Sequence, residues 1–77
     1  MKEGKVIKYD GFTGEIESEN EIYIFLNEDL ETKVKENDIV IFRGETIHDI
    51  NRAFFVKSND FSLSLKSETK DGADNER

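Results

Sequence analysis

The chain has 77 residues and a net charge of -7, which allows one small domain and argues against tight binding driven mainly by phosphate neutralisation. It has no cysteine, so disulfides and thiolate metal sites are excluded. The single histidine, His48, cannot build a metal site alone, and we expect it in a loop. No apolar run approaches the about 20 residues that cross a bilayer, and no apolar signal segment follows Met1. We therefore expect a cytoplasmic protein with no membrane contact and no cofactor.

The first predicted strand spans residues 5–9, which are rich in β-branched side chains. Val6 is its best core candidate. Lys8 and Tyr9 are predicted to lie outside, unless a bulge changes the parity of the strand.

A turn is predicted over residues 10–14, because an Asp-Gly pair and a second glycine permit positive φ. Phe12 lies at its tip and either contacts a ligand or covers one end of the domain. A second short strand follows over residues 15–18, with Ile16 facing inward.

The clearest alternation in the chain lies in residues 21–26. Side chains two apart in a strand share a face, so Tyr23 and Phe25 point one way and the intervening aliphatic residues the other. Two rings about 7 Å apart on an open face can each stack on one base of a single-stranded nucleic acid. The alternative is that both faces are buried, against a second sheet, a tail or another subunit.

The second half of the chain predicts two further strands. Residues 27–30 resemble one helical turn capped by Asn27, and the strands cover residues 39–42 and 51–57. Residues 43–50 are predicted to form a loop between them. The fold class is therefore all-β, a small five-stranded antiparallel barrel.

The tail adds one candidate element. Residues 59–66 contain three apolar side chains that alternate with serine, which favours an additional C-terminal strand. Residues 67–77 are polar, and we expect them to form a disordered tail.

The order of these segments resembles the cold-shock domain, an OB-fold barrel that binds single-stranded RNA and DNA. The resemblance covers residues 1–58. Its matches are Gly4-Lys5-Val6 with Tyr9-Asp10 for the opening Gly-x-Val-Lys-Trp-Phe-Asn, Gly14-Glu15-Ile16 for the Gly-Phe-Ile of the first ribonucleoprotein motif, and residues 21–25 for the Asp-Val-Phe-Val-His of the second.

The departures from that family affect function more than fold. Lys8 occupies the position of the family's surface tryptophan, and Thr13 and Glu15 replace two phenylalanines of the first motif. Since each stacked base contributes about 1–3 kcal/mol, losing three rings lowers the affinity at least about a hundredfold. The resemblance thus implies weak, salt-sensitive binding.

The residues that the resemblance implies for such a site fall into three groups. Tyr23 and Phe25 would stack on bases, Tyr9 and Phe12 would flank them, and Lys8 and Arg52 would meet phosphate. For each cation the alternative is an ordinary solvated surface charge.

A second hypothesis assigns the domain to protein binding or homodimerisation. If Val40 and Phe42 face inward, Ile39, Ile41 and Phe55 face outward and form an apolar patch that needs a cover. The predicted strand at residues 60–66, a second copy or another protein could provide it. An enzyme is the least supported class, because no nucleophile is paired with a base and no phosphate-binding glycine motif occurs.

Overall fold

The computed structural model describes residues 1–59, which form a closed five-stranded barrel. Its elements are β1 (Lys2–Tyr9), β2 (Thr13–Ser18), β3 (Glu21–Leu26), a 3-10 turn η1 (Asn27–Asp29), β4 (Ile39–Ile47) and β5 (Ile50–Ser58). The order around the barrel is β1-β2-β3-β5-β4, and β1 pairs with both β2 and β4. The predicted all-β barrel of the OB-fold type is confirmed. The predicted strand at residues 60–66 and the tail at 67–77 lie outside the described residues.

One seam departs from the antiparallel pairing of the other strands. β3 and β5 run parallel and share one residue pair, Ile24 with Arg52. A parallel bridge between Leu30 and Val56 continues this seam beyond η1. Parallel neighbours are often joined by a crossover helix. β3 and β5 do not need one, because η1 and the whole of β4 lie between them in the chain.

The β4–β5 hairpin is longer than the sequence predicts. Residues 43–50 do not form a loop, because β4 continues to Ile47 and pairs there with Ile50. The turn consists of His48 and Asp49, with φ of 52° and 67°. Two positive φ values match the twist of the flanking strands, and Asp and His enter this region more readily than most residues. The expected loop position of His48 is thus confirmed.

The core contains eight hydrophobic residues from all five strands: Val6, Ile16, Tyr23, Phe25, Val40, Phe42, Ala53 and Val56. The inward positions predicted for Val6 and Ile16 are confirmed, and so are those of Val40 and Phe42. Two rings from β3 complete this core, and their inward direction determines what the outer surface can bind.

Candidate interaction surfaces

The two rings of β3 are not on the surface, so the prediction that Tyr23 and Phe25 stack on bases is wrong. Phe25 has no exposed area and Tyr23 is 7% exposed. The Phe25 ring centroid lies 5.5 Å from that of Tyr9, and the Tyr23 centroid lies 5.1 Å from that of Phe42. Rings enclosed in this way have no face left for a base.

The register between β2 and β3 explains this direction. The two strands are joined by the two-residue turn Glu19-Asn20, with φ of 54° and 70°, so Ile16 pairs directly with Tyr23. Directly opposed residues in an antiparallel pair lie on the same face. Since Ile16 faces inward, Tyr23 must face inward as well, and Phe25 follows two residues later.

Two glycines make room for these rings. Gly14 pairs with Phe25 across the strands, and a Cβ atom at Gly14 would overlap the Phe25 ring and lie 2.7 Å from the Lys8 carbonyl oxygen. A Cβ atom at Gly44 would lie 2.8 Å from Cε2 of Tyr23. An aromatic residue packed over a strand glycine is a recurrent pairing in sheets. The two glycines are the feature of the sequence that indicates buried rings on β3.

The outer face of β1, β2 and β3 is therefore aliphatic and charged. In one row across the strands, Lys8 pairs with Glu15, and Glu15 pairs with Ile24. In the next row Lys5 pairs with Glu17, and Glu17 with Ile22. Each row places one lysine beside one carboxylate, so this face is neither a stacking platform nor a basic stripe.

Tyr9 and Arg52 are held by contacts within the protein. The Tyr9 hydroxyl donates to Oδ1 of Asn27 at 2.6 Å, and its ring packs against the core. Arg52 Nη2 lies 2.7 Å from Oδ2 of Asp29, while its Nε donates to the Ile24 carbonyl at 3.2 Å. Its guanidinium also stacks on the Phe54 ring at 4.7 Å. Asn27 is therefore not the predicted helix cap; Asp29 accepts the Leu26 N–H instead.

Lys8 is exposed, as predicted, and Phe12 is exposed as well. Phe12 is 77% exposed, so it does not cover the barrel end. Its backbone is fixed, because its N–H donates to Oδ1 of Asp10 at 2.8 Å and its carbonyl accepts the Asn27 N–H at 2.8 Å. Hydrogen bonds from the Thr13 and Phe12 N–H groups lower the pKa of Asp10 below its ordinary value of 3.8, and the nearby Lys8 lowers it further.

An apolar patch lies on the outside of β4 and β5 and comprises Ile39, Ile41 and Phe55. Ile39 and Phe55 are exposed and Ile41 is partly exposed. A β-bulge shapes the patch: the register between β4 and β5 shifts between Ile41 and Arg43. Phe42 consequently faces two residues of β5, and Val56 turns inward while Phe55, with φ of 55°, turns outward. We call these three residues the β4–β5 patch.

No family model and no curated protein matches the chain. Within residues 1–59, no group of three or more acidic, histidine or cysteine side chains is placed to hold a metal ion. Across the same range, no helix is long and apolar enough to cross a membrane. The relation to the cold-shock domain and the cytoplasmic location stay predictions.

Proposed function

We propose that this barrel is a protein-binding module whose contact surface is the β4–β5 patch. The observation that carries the proposal is Phe55, a bulky aromatic residue that combines a φ of 55° with 53% exposure. A residue other than glycine that is held at positive φ lowers the stability of the fold by about 1–3 kcal/mol, and such residues cluster at functional sites. Bulges are likewise used to re-aim side chains next to binding sites.

The chemistry of the patch supports a protein partner. Interfaces rely on a few aromatic anchors surrounded by aliphatic contacts, and Phe55 with Ile39 and Ile41 has this composition. The net charge of -7 disfavours a polyanionic partner. A protein surface, including that of a second copy, needs no such neutralisation.

The experiment compares a patch variant with a matched variant on another face. Ile41→Lys places a charge in the patch, while Ile22→Lys places the same charge at an outward position of β3. The full chain is immobilised, and proteins retained from a cell extract are identified for the parent and both variants. Light scattering reports self-association in parallel.

We expect a retained protein, or a self-association equilibrium, that survives Ile22→Lys and is lost in Ile41→Lys. Removing an anchor contact of this kind costs at least about 1–2 kcal/mol, roughly five- to thirtyfold in affinity. If all three chains retain the same proteins and scatter as the same monomer, the β4–β5 patch is not a binding surface.

A second candidate function is weak binding of single-stranded nucleic acid at Phe12 and Lys8, and the observation that favours it is the open ring of Phe12. One stacked base provides about 1–3 kcal/mol, which is less than the about 4.1 kcal/mol of a 1 mM complex. Titration with a short oligopyrimidine at low salt, followed through the backbone amide signals, tests it. Saturable shifts confined to Phe12 and Lys8 would establish the site; unshifted signals at millimolar oligonucleotide would remove it.

A further inference from the structure

A groove of about 520 Å³ lies beside β1, between the end of β2 and the start of β4. Gly4 and Ile39 line it from these strands, and the acidic side chains around it include Glu3, Glu17 and Glu19. Most of the atoms exposed in the groove are carbon. Its volume falls within the range of about 300–1,000 Å³ that is common for binding pockets, so it can accept several apolar side chains.

The described part of the chain ends at this groove. The Asn59 N–H donates to the Ile39 carbonyl at 3.0 Å, which extends the pairing of β5 with β4 by one residue. The Asn59 side-chain Nδ2 donates to Oε2 of Glu3 at 2.9 Å. Asn59 is thus anchored to two strands at once, and the chain leaves it at the rim of the groove.

The residues that follow have the composition that the groove requires. One residue, Asp60, separates Asn59 from Phe61, so Phe61 can lie no farther than about 7 Å from Asn59. In an extended conformation Phe61, Leu63 and Leu65 share one face, and the serines between them share the other. Lys66 follows this segment and can meet the acidic rim.

We propose that residues 61–65 of the same chain occupy this groove, with Phe61 entering first. The connection of one residue keeps the segment at a high effective concentration, which favours it over an equivalent segment from another molecule. Ile39 then has a cover within the chain. The two proposals share Ile39: residues 61–65 cover it and leave Ile41 and Phe55 of the β4–β5 patch for a partner. Their failures are distinguishable, because the groove proposal makes no use of Phe55.

Tryptophan fluorescence of the full chain tests this proposal directly, because the chain contains no tryptophan. Phe61→Trp introduces a single fluorophore at the first groove position, and Lys70→Trp introduces the same fluorophore beyond the segment as a control. We expect blue-shifted emission and weaker acrylamide quenching for Phe61→Trp than for Lys70→Trp, at every protein concentration.

A groove variant localises the signal. Ile39→Asp, added to Phe61→Trp, places a charge in the groove wall at an exposed position, and we expect its emission to approach that of the control while the far-ultraviolet circular dichroism stays unchanged. If that double variant loses its fold, Leu63→Ser with Leu65→Ser replaces Ile39→Asp, because both changes follow the five strands in the sequence. Equal emission of Phe61→Trp and Lys70→Trp would overturn the proposal. A blue shift that appears only at high protein concentration would overturn it too, since the occupant would be a second copy.

Discussion

At the scale of single residues, Phe55 has a backbone conformation that aromatic residues rarely adopt. Its φ of 55° brings Cβ close to the backbone carbonyl, a clash that glycine avoids. The bulge imposes this conformation, because Val56 can face inward only if an additional residue is inserted opposite Phe42. The ring that results is exposed, so its own packing offsets little of this cost.

Replacing Phe55 by glycine therefore separates stability from binding. Relief of about 1–3 kcal/mol of strain outweighs the about 0.5–1 kcal/mol that glycine costs in a strand. We expect Phe55→Gly to unfold in denaturant with a free energy between unchanged and about 2 kcal/mol higher, while partner binding is lost. Phe54→Gly is the control: Phe54 is half-buried and has no positive φ, so its loss should destabilise. Equal destabilisation by both changes would show that Phe55 is not strained.

Asp10 shows a residue-scale effect of pH on the turn that presents Phe12. Its pKa is lowered because the carboxylate accepts the N–H groups of Thr13 and Phe12. Because the pKa is lowered in the folded state, the stabilisation by the Asp10 carboxylate is complete above pH 3.8, the ordinary pKa. It is lost as the pH falls through the lower pKa that Asp10 has in the folded protein. We expect the amides of Phe12 and Thr13 to be less protected, relative to their intrinsic exchange rates, below the folded-state pKa of Asp10.

The matched variant for this effect is Asp10→Asn, which keeps an oxygen acceptor and removes the charge. The pH dependence of the protection factors of the two amides should vanish in it. Persistence of that dependence would assign the effect to a group other than Asp10.

At the scale of elements, the seam between β3 and β5 is the weakest closure of the barrel. Only Ile24 and Arg52 pair across it, and the Arg52 side chain bridges the remaining gap to Ile24 and η1. Asp29 in turn accepts the Leu26 N–H at 2.8 Å. One ion pair thus joins β3, η1 and β5, so we infer that Arg52 acts in closing the barrel and not in contacting phosphate.

Arg52→Lys tests this role because lysine keeps the charge but lacks the planar fork of donors. We expect the free energy of unfolding to fall by about 1.5–3 kcal/mol, the range for hydrogen bonds to charged groups. Arg43→Lys is the control, since the Arg43 side chain is 62% exposed and that of Arg52 is 24% exposed. It should change stability by less than about 0.5 kcal/mol. A thermal or denaturant titration that ranks the two variants equally would contradict the closing role.

At the scale of the whole molecule, alternation and turn residues were enough to predict the barrel. The predicted strand at residues 21–26 is confirmed. Its alternation does not identify which of the two faces is buried, because both faces carry apolar side chains. The decision between the faces depends on a partner strand, here on Ile16 through the turn at Glu19-Asn20. The sequence contains that turn, but it identifies the inward face only when the registers of two strands are considered together.

The β4–β5 hairpin was underestimated for a related reason. Its turn, His48-Asp49, contains none of the glycines that mark such turns in a sequence, and Gly44, which lies within the predicted loop at residues 43–50, instead makes room for Tyr23. The bulge at Phe55 has no sequence signature, because it is produced by packing of Val56 in the core. The outward position of Phe55 was predicted, whereas its positive φ was not.

The β3 rings fill the barrel, while Ile22 and Ile24 face outward. The most direct measurement is the free energy of unfolding of Phe25→Ala beside that of Ile24→Ala, determined by denaturant titration. We expect Phe25→Ala to lose about 3–5 kcal/mol, enough to unfold a small domain, and Ile24→Ala to lose about 1 kcal/mol or less. A larger loss for Ile24→Ala than for Phe25→Ala would place the rings on the surface and contradict the account.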